Sequence, residues 1–303
     1  PILLAIVWGS GIGGFGSPLG GSANLVAISY LENICGHEFM YIDWVSRFLP
    51  FLILTMLLNL VILLSIKLPV TKLANTKSYF NDMYKQLGPM SKGEKIGLGL
   101  FIISTVLAFA RPLFADILPA LRPAYIFFIC GLLTFMFRDD EGKVLLTWKQ
   151  AEKELMWGMF FLFAGGLALG KLVTGTGAAT KLAEVITVMP LTGGIETIFA
   201  FTMFSTILTE VSSNTAAASI AIPIIQSIAE ALGLNVIPYI LVTIVAVNCA
   251  YILPVSTRAI PIGYGLEPSE LFKHGVLLSI LNVLLTTVVG YIFINYWQSF
   301  GQI

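Results

Sequence analysis

A chain of 303 residues that is 57% hydrophobic and only 11% charged excludes most soluble folds, because ordinary globular domains carry about 25% charged residues. Seventeen basic residues balance seventeen acidic ones, so no net field draws the chain to nucleic acid. The same apolar weight excludes a solvated, disordered coil. What remains is an integral membrane protein, and its candidate helical spans make it an all-α polytopic one.

Cys35, Cys130 and Cys249 lie far apart, as do His37 and His274. Such spacing gives neither a disulfide framework nor a metal cluster. No basic stretch followed by a small-residue cleavage site marks a signal peptide. The chain opens at Pro1, without a methionine and already inside an apolar segment, so a truncated start is expected.

A spanning helix needs roughly 20 mostly apolar residues. In chain order, uninterrupted candidates are Trp44–Ile66, Ile96–Ala115, Ala120–Phe137, Leu155–Val173 and Leu271–Trp297. Three further apolar regions are broken. Ile2–Tyr30 carries Gly9, Gly11, Gly13, Gly14, Gly16, Pro18, Gly20 and Gly21. Ile195–Leu232 is about twice a span long, with the polar run Thr209-Glu210-Val211-Ser212-Ser213-Asn214-Thr215 at its midpoint. Val236–Gly265 holds Pro254, Ser256, Thr257, Arg258 and Pro261 in its second half.

Irregular backbone at membrane depth is tolerated only where protein buries it or where it lines a wet cavity. Spans broken by Gly or Pro in two corresponding halves point to a transporter binding site. Here a broken span precedes an intact one near each end, which suggests an inverted repeat. Residues 1–67 would close the first repeat, 68–95 would be a cytoplasmic linker, and 96–303 would form the second. Within the latter, 195–232 reads as a re-entrant hairpin, 236–265 as a broken span and 271–297 as the last span.

Six lysines between Lys67 and Lys95 place that loop in the cytoplasm by the positive-inside bias. Arg138–Lys153 then also falls inside, the acidic Glu32–Asp43 falls outside, and the hairpin enters from outside. Arg111 and Arg122 flank prolines and read as interface anchors. Trp148–Leu155 reads as an amphipathic interfacial helix.

The hairpin tip is the most informative feature. Hydroxyl and amide oxygens with freed carbonyls suit a hard cation such as sodium, whereas N–H groups opening the second half-helix suit an anion. One tip can therefore touch both ions. No nucleophile–base pair, phosphate loop or metal-ligand spacing indicates an enzyme.

The run Thr209–Ala216, continuing through Ile222-Pro223-Ile224 and Ala229-Glu230-Ala231-Leu232-Gly233, resembles the divalent anion/sodium symporter family. That family comprises sodium-coupled dicarboxylate, citrate and sulfate carriers. Supporting stretches are Ile12-Gly13-Gly14-Phe15-Gly16 with Asn24, Leu87-Gly88-Pro89-Met90-Ser91-Lys92, Trp157-Gly158 with Phe163–Gly166, and Cys249–Val255.

The resemblance implies an inverted-repeat secondary transporter that carries a small divalent anion, such as a dicarboxylate, with sodium ions. It implies a homodimer in the lipid bilayer, here the bacterial inner (plasma) membrane. Ser213, Asn214 and Thr215 would contact the substrate. Thr209, Ser212, Asn214 and Ser256 would hold one sodium, some through backbone carbonyls. Gly13 and Gly14 would contribute to another, completed by a first Ser-Asn-Thr hairpin expected ahead of Pro1.

The chain departs from the family pattern in two places. Thr257-Arg258-Ala259-Ile260 stands where Thr-Pro-Pro-Asn is usual, and Ala23-Asn24 stands where Pro-Asn is usual. Thr257 and Arg258 therefore join the substrate candidates. Arg258 could instead replace a sodium or pair with Glu210. Alternatives in function are a sodium-independent anion exchanger or oxyanion efflux carrier, and a non-transporting anion sensor.

Overall fold

The computed structural model describes residues 2–66, 76–155 and 191–302, with scattered positions between 157 and 181. Secondary structure among them is helical apart from one isolated bridge, Arg138 to Val144. The chain divides into two compact units. One comprises Pro1–Phe39, Asp43–Lys67 and Gly158–Ile303; the other comprises Met40–Ile42 and Leu68–Trp157. One of its cuts falls after Lys67, and none falls at 95.

In the first unit, the glycine-rich span is broken as its composition demands. Helix α1 (Ile2–Gly14) stops, and α2 (Ser22–Cys35) begins after an irregular Phe15–Gly21. Gly20 is indispensable to this break, because a Cβ there would collide with the Gly14 carbonyl. Helix α3 (Tyr41–Ser65) is continuous and, at about 37 Å, long enough to cross a bilayer. Its first half is anchored by aromatics: Trp44 Nε1 donates to the Phe15 carbonyl at 2.8 Å, and Phe48 packs on Phe15. Its outward face leaves Ile53, Leu57, Leu60, Val61 and Leu64 exposed, as lipid contact requires.

The second unit holds α4 (Thr76–Leu87), α5 (Lys92–Phe109), α6 (Pro123–Leu133) and α7 (Trp148–Glu154). Helix α4 was not foreseen within the linker. It exposes Tyr79, Phe80, Met83, Tyr84 and Leu87 along one side. Helix α5 begins four residues before the expected span, at a capping box in which Ser91 Oγ accepts from Glu94 N and Glu94 Oε2 accepts from Ser91 N. It ends before Pro112, which cannot continue the ladder.

Helix α6 is shorter than the span expected over Ala120–Phe137. Its eleven residues rise about 17 Å, because Pro123 sets its start and Thr134 Oγ1 bonds back to the Gly131 carbonyl at its end. The expectation for Arg111 also needs correction. It is buried rather than anchored at an interface, and its guanidinium donates to the Leu118 and Pro119 carbonyls, closing the α5–α6 connection. The span expected at Leu155–Val173 lies outside the continuously described residues.

The remaining helices return to the first unit. Helices α8 (Ile195–Val211) and α9 (Asn214–Ala231) form a hairpin whose tip is only Ser212-Ser213. Helix α10 (Val236–Asn248) is buried nearly all round, with α8, α9 and α2 packed on it. It ends six residues before Pro254, earlier than the sequence suggested. A 3₁₀ turn (Ser256–Ala259) and the single turn α11 (Ile260–Gly263) follow. Helix α12 (Pro268–Tyr296) is, like α3, long and apolar enough to span. Gly275 lets it approach the break, since a Cβ there would overlap the Tyr251 carbonyl.

Candidate functional site

Four helix ends of the first unit meet at one cavity of about 360 Å³. Helices α1 and α10 end there, at Gly14 and Asn248; helices α2 and α9 begin there, at Ser22 and Asn214. The chemistry follows from the polarity of those ends. Helix N-termini present unpaired N–H groups and partial positive charge, whereas C-termini present carbonyls and partial negative charge. One cavity thus offers an anion two N-termini and a cation two C-termini. Discontinuous helices at transporter sites divide the labour in this way.

Side chains hold the four ends in register. Asn24 Nδ2 donates to the carbonyls of Gly14 and Ser17, at 2.7 and 2.9 Å, pinning the first break. Its Oδ1 accepts from Asn248 Nδ2 at 3.1 Å, which ties the first break to the end of α10. Ser22 Oγ and Thr215 Oγ1 are hydrogen-bonded, joining the two N-termini. Ser213 caps α9 by accepting from Ala216 N at 3.2 Å.

Thr209 and Asn214 link the tip to α10. The Thr209 hydroxyl donates to the Val247 carbonyl at 2.6 Å and also faces Asn214 Oδ1 at 2.9 Å. A hydroxyl has one proton, so it cannot serve both acceptors. Turning the Asn214 amide over makes Nδ2 the donor to Thr209 and frees Oδ1 for a ligand. Hydrogen-bond balance favours that orientation.

Glu210 and Arg258 lie behind the tip, both buried. The Glu210 carboxylate accepts from the backbone N–H groups of Tyr251, Ile252 and Leu253, between 2.7 and 3.2 Å, and from Ser279 Oγ at 3.0 Å. This explains the early end of α10: the N–H groups freed by the break go to a carboxylate. Arg258 Nη2 donates to the Thr209 and Glu210 carbonyls at the end of α8, and Nη1 is 3.9 Å from the Glu210 carboxylate.

The residues expected from sequence are distributed accordingly. Ser213, Asn214, Thr215, Ser256, Thr257 and Gly14 line the cavity. Thr209 lies one hydrogen bond behind Asn214. Ser212 instead donates to the Leu208 carbonyl, ending α8, and Gly13 accepts from Gly16 N within the first break. Arg258 is outside the cavity lining and engaged with α8. Ser256 has φ +59°, the one positive value among described non-glycine residues; such strain gathers at functional sites. Asn248 and Ser22 were missed. Asn248 directly precedes the recognised Cys249–Val255, yet at the end of an apolar helix it reads as an ordinary cap.

A model of the sodium:sulfate symporter transmembrane region matches residues 2–303. The chain is 26% identical over 301 residues to the sodium-dependent dicarboxylate transporter SdcS of Staphylococcus saprophyticus subsp. saprophyticus, covering 96% of this chain and 58% of that protein. An uncharacterized transporter of Haemophilus influenzae is 31% identical over 309 residues, with 96% and 62% covered. SdcS of Staphylococcus aureus is 26% identical, with 96% and 58% covered. The chain therefore spans 58–62% of the length of these relatives. A transmembrane family of this kind accounts for the apolar composition, the long lipid-compatible helices α3 and α12 and the broken spans together: the chain belongs to the sodium:sulfate symporter family.

Proposed function

We propose that this chain supplies one half of the binding site of a sodium-coupled symporter for a small divalent anion, a dicarboxylate such as succinate. The convergence of two helix N-termini and two C-termini on one cavity carries the reading. In it, the N–H groups opening α2 and α9, with the Ser213 backbone and the Asn214, Thr215 and Thr257 side chains, hold the carboxylates. One sodium takes the Asn214 amide oxygen, the tip carbonyls and Ser256. Another takes carbonyls ending α1, around Gly13 and Gly14. Arg258 acts from behind, by fixing the end of α8.

Sodium organising Asn214 before the anion arrives would couple the two ligands, each raising the other's affinity by the same factor. Alternating access would move the hairpin and broken spans against the unbroken helices of an inverted-repeat homodimer in the bacterial inner membrane. The dicarboxylate in the name of the SdcS relatives supports the substrate class.

The test uses the complete protein in sealed vesicles: succinate-dependent uptake of sodium is expected and should be lost in Asn214→Ala at unchanged membrane expression. Succinate flux without sodium would establish an exchanger, and binding without flux a sensor; either outcome ends the symport reading.

A further inference from the structure

Helices α8 and α12 pack antiparallel, and two contacts fix their register. Ser279 Oγ donates to Glu210 at one end, and Gly290 lies against Ile198 at the other. Between these anchors, each turn of α8 faces a turn of α12. Thr206 therefore comes level with Asn282, and Thr202 with Thr286. All four side chains are more than nine-tenths buried. None of their polar atoms finds a hydrogen-bond partner among the described residues.

A fifth unpartnered group closes the seam beside the second break. Tyr251 Oη is fully buried and also unpaired. The Cys249 thiol neighbours both Tyr251 and Asn282, but a thiol is too weak a donor and acceptor to satisfy an amide or a phenol. Lone threonines in apolar helices usually bond back to their own carbonyls, as Thr243 and Thr287 do. These do not. A run of unsatisfied polar groups in a membrane-embedded interface demands partners from elsewhere.

We propose that the seam between α8 and α12 binds a file of ordered water molecules, running about 12 Å from Glu210 to the Thr202–Thr286 level. The donor set decides for water over a cation. Asn282 offers a two-proton Nδ2 beside its Oδ1, and Tyr251 offers a phenolic proton; a bound cation would face those protons, whereas water complements donors and acceptors alike. The file goes beyond the transport reading and does not rest on it. It would bridge the polar groups of the seam, between direct contacts such as Ser279 to Glu210 and Gly290 to Ile198.

Radiolytic hydroxyl-radical footprinting of the complete protein in lipid nanodiscs tests this, because radicals formed from a bound water oxidise the side chain beside it. Tyr251 should be oxidised despite full burial, while Phe48, equally buried among aromatic rings, stays unmodified. Asn282→Leu should fill the seam and lower Tyr251 oxidation severalfold. Thr206→Val, which keeps volume and removes one hydroxyl, should lower it less and serves should Asn282→Leu fail to fold. An unmodified wild-type Tyr251, with exposed Tyr84 oxidised in the same sample, overturns the proposal. So does oxidation that is present in potassium and abolished by sodium, which would make the seam a cation site.

Discussion

Glu210 and Arg258 each hold the backbone of the opposite segment rather than chiefly each other. The Glu210 carboxylate takes three consecutive N–H groups of the break at Tyr251–Leu253, and the Arg258 guanidinium takes two carbonyls at the end of α8, with 3.9 Å between the charges. The hairpin tip and the second break are thus fastened reciprocally. The two substitutions should differ, because the two groups serve different numbers of orphan partners. Glu210→Gln leaves an amide N–H₂ facing backbone donors and Arg258 uncompensated, a buried loss of about 3–5 kcal/mol. Arg258→Met leaves Glu210 with all its other donors and strands only carbonyls, about 1–3 kcal/mol. Thermal unfolding in detergent should rank Glu210→Gln well below Arg258→Met; the reverse order would show that the Arg258 contacts to the end of α8 matter more than the donors gathered by Glu210.

Given the proposed sodium site, Thr209 affects sodium affinity through Asn214 without touching the anion. Thr209→Val keeps shape but leaves the Val247 carbonyl and the Asn214 amide without their shared partner. The expected result is a severalfold rise in the sodium concentration giving half-maximal uptake, reversed by Thr209→Ser. Unchanged sodium activation in Thr209→Val would remove Thr209 from the coupling scheme.

The hairpin was legible because a run of polar residues in an apolar stretch is expensive and has few structural solutions, and the glycine-rich first break was legible because no regular helix tolerates that composition. What escaped notice depends on distant partners. The end of α10 at Asn248 is set by Glu210, 38 residues earlier in the chain, so Pro254 and Ser256 drew the expected break too late. Arg111 beside a proline looked like a surface anchor until the Leu118 and Pro119 carbonyls supplied its partners. Thr202, Thr206, Asn282 and Thr286 each pass as an isolated polar residue; only the pairing of α8 with α12 makes them a seam.

The lysine bias gives a topology that accessibility labelling checks. Lys85 on α4 and Lys149 on α7 are both exposed. With Cys35, Cys130 and Cys249 first replaced by serine or alanine, a cysteine at either position should react only from the cytoplasmic side. Labelling from outside intact cells at either one would reverse the orientation of the hairpin.

Gly275 tests the close approach of α12 to the second break. Gly275→Ala must displace a carbonyl at Tyr251, in a segment that Glu210 already fixes from the other side. Overpacking of this kind costs about 1–3 kcal/mol. The lowered stability should come with reduced uptake at unchanged expression. Wild-type stability in Gly275→Ala would mean that the break yields freely.

In the proposed sodium site, Ser256→Gly separates a backbone role from a side-chain role for Ser256. Its left-handed φ of +59° costs an ordinary residue about 1–2 kcal/mol. Glycine removes that strain but loses about 0.4–1 kcal/mol through a more flexible unfolded chain. Ser256→Gly should therefore match or slightly exceed wild-type stability, whereas Ser256→Val, β-branched at the same φ, should be clearly destabilised. The strain fixes the direction of the Ser256 peptide, and a carbonyl ligand depends on that direction alone. Sodium activation of uptake should then survive Ser256→Gly unchanged. A severalfold loss of sodium affinity in Ser256→Gly, at full stability, would assign the ligand to the hydroxyl instead.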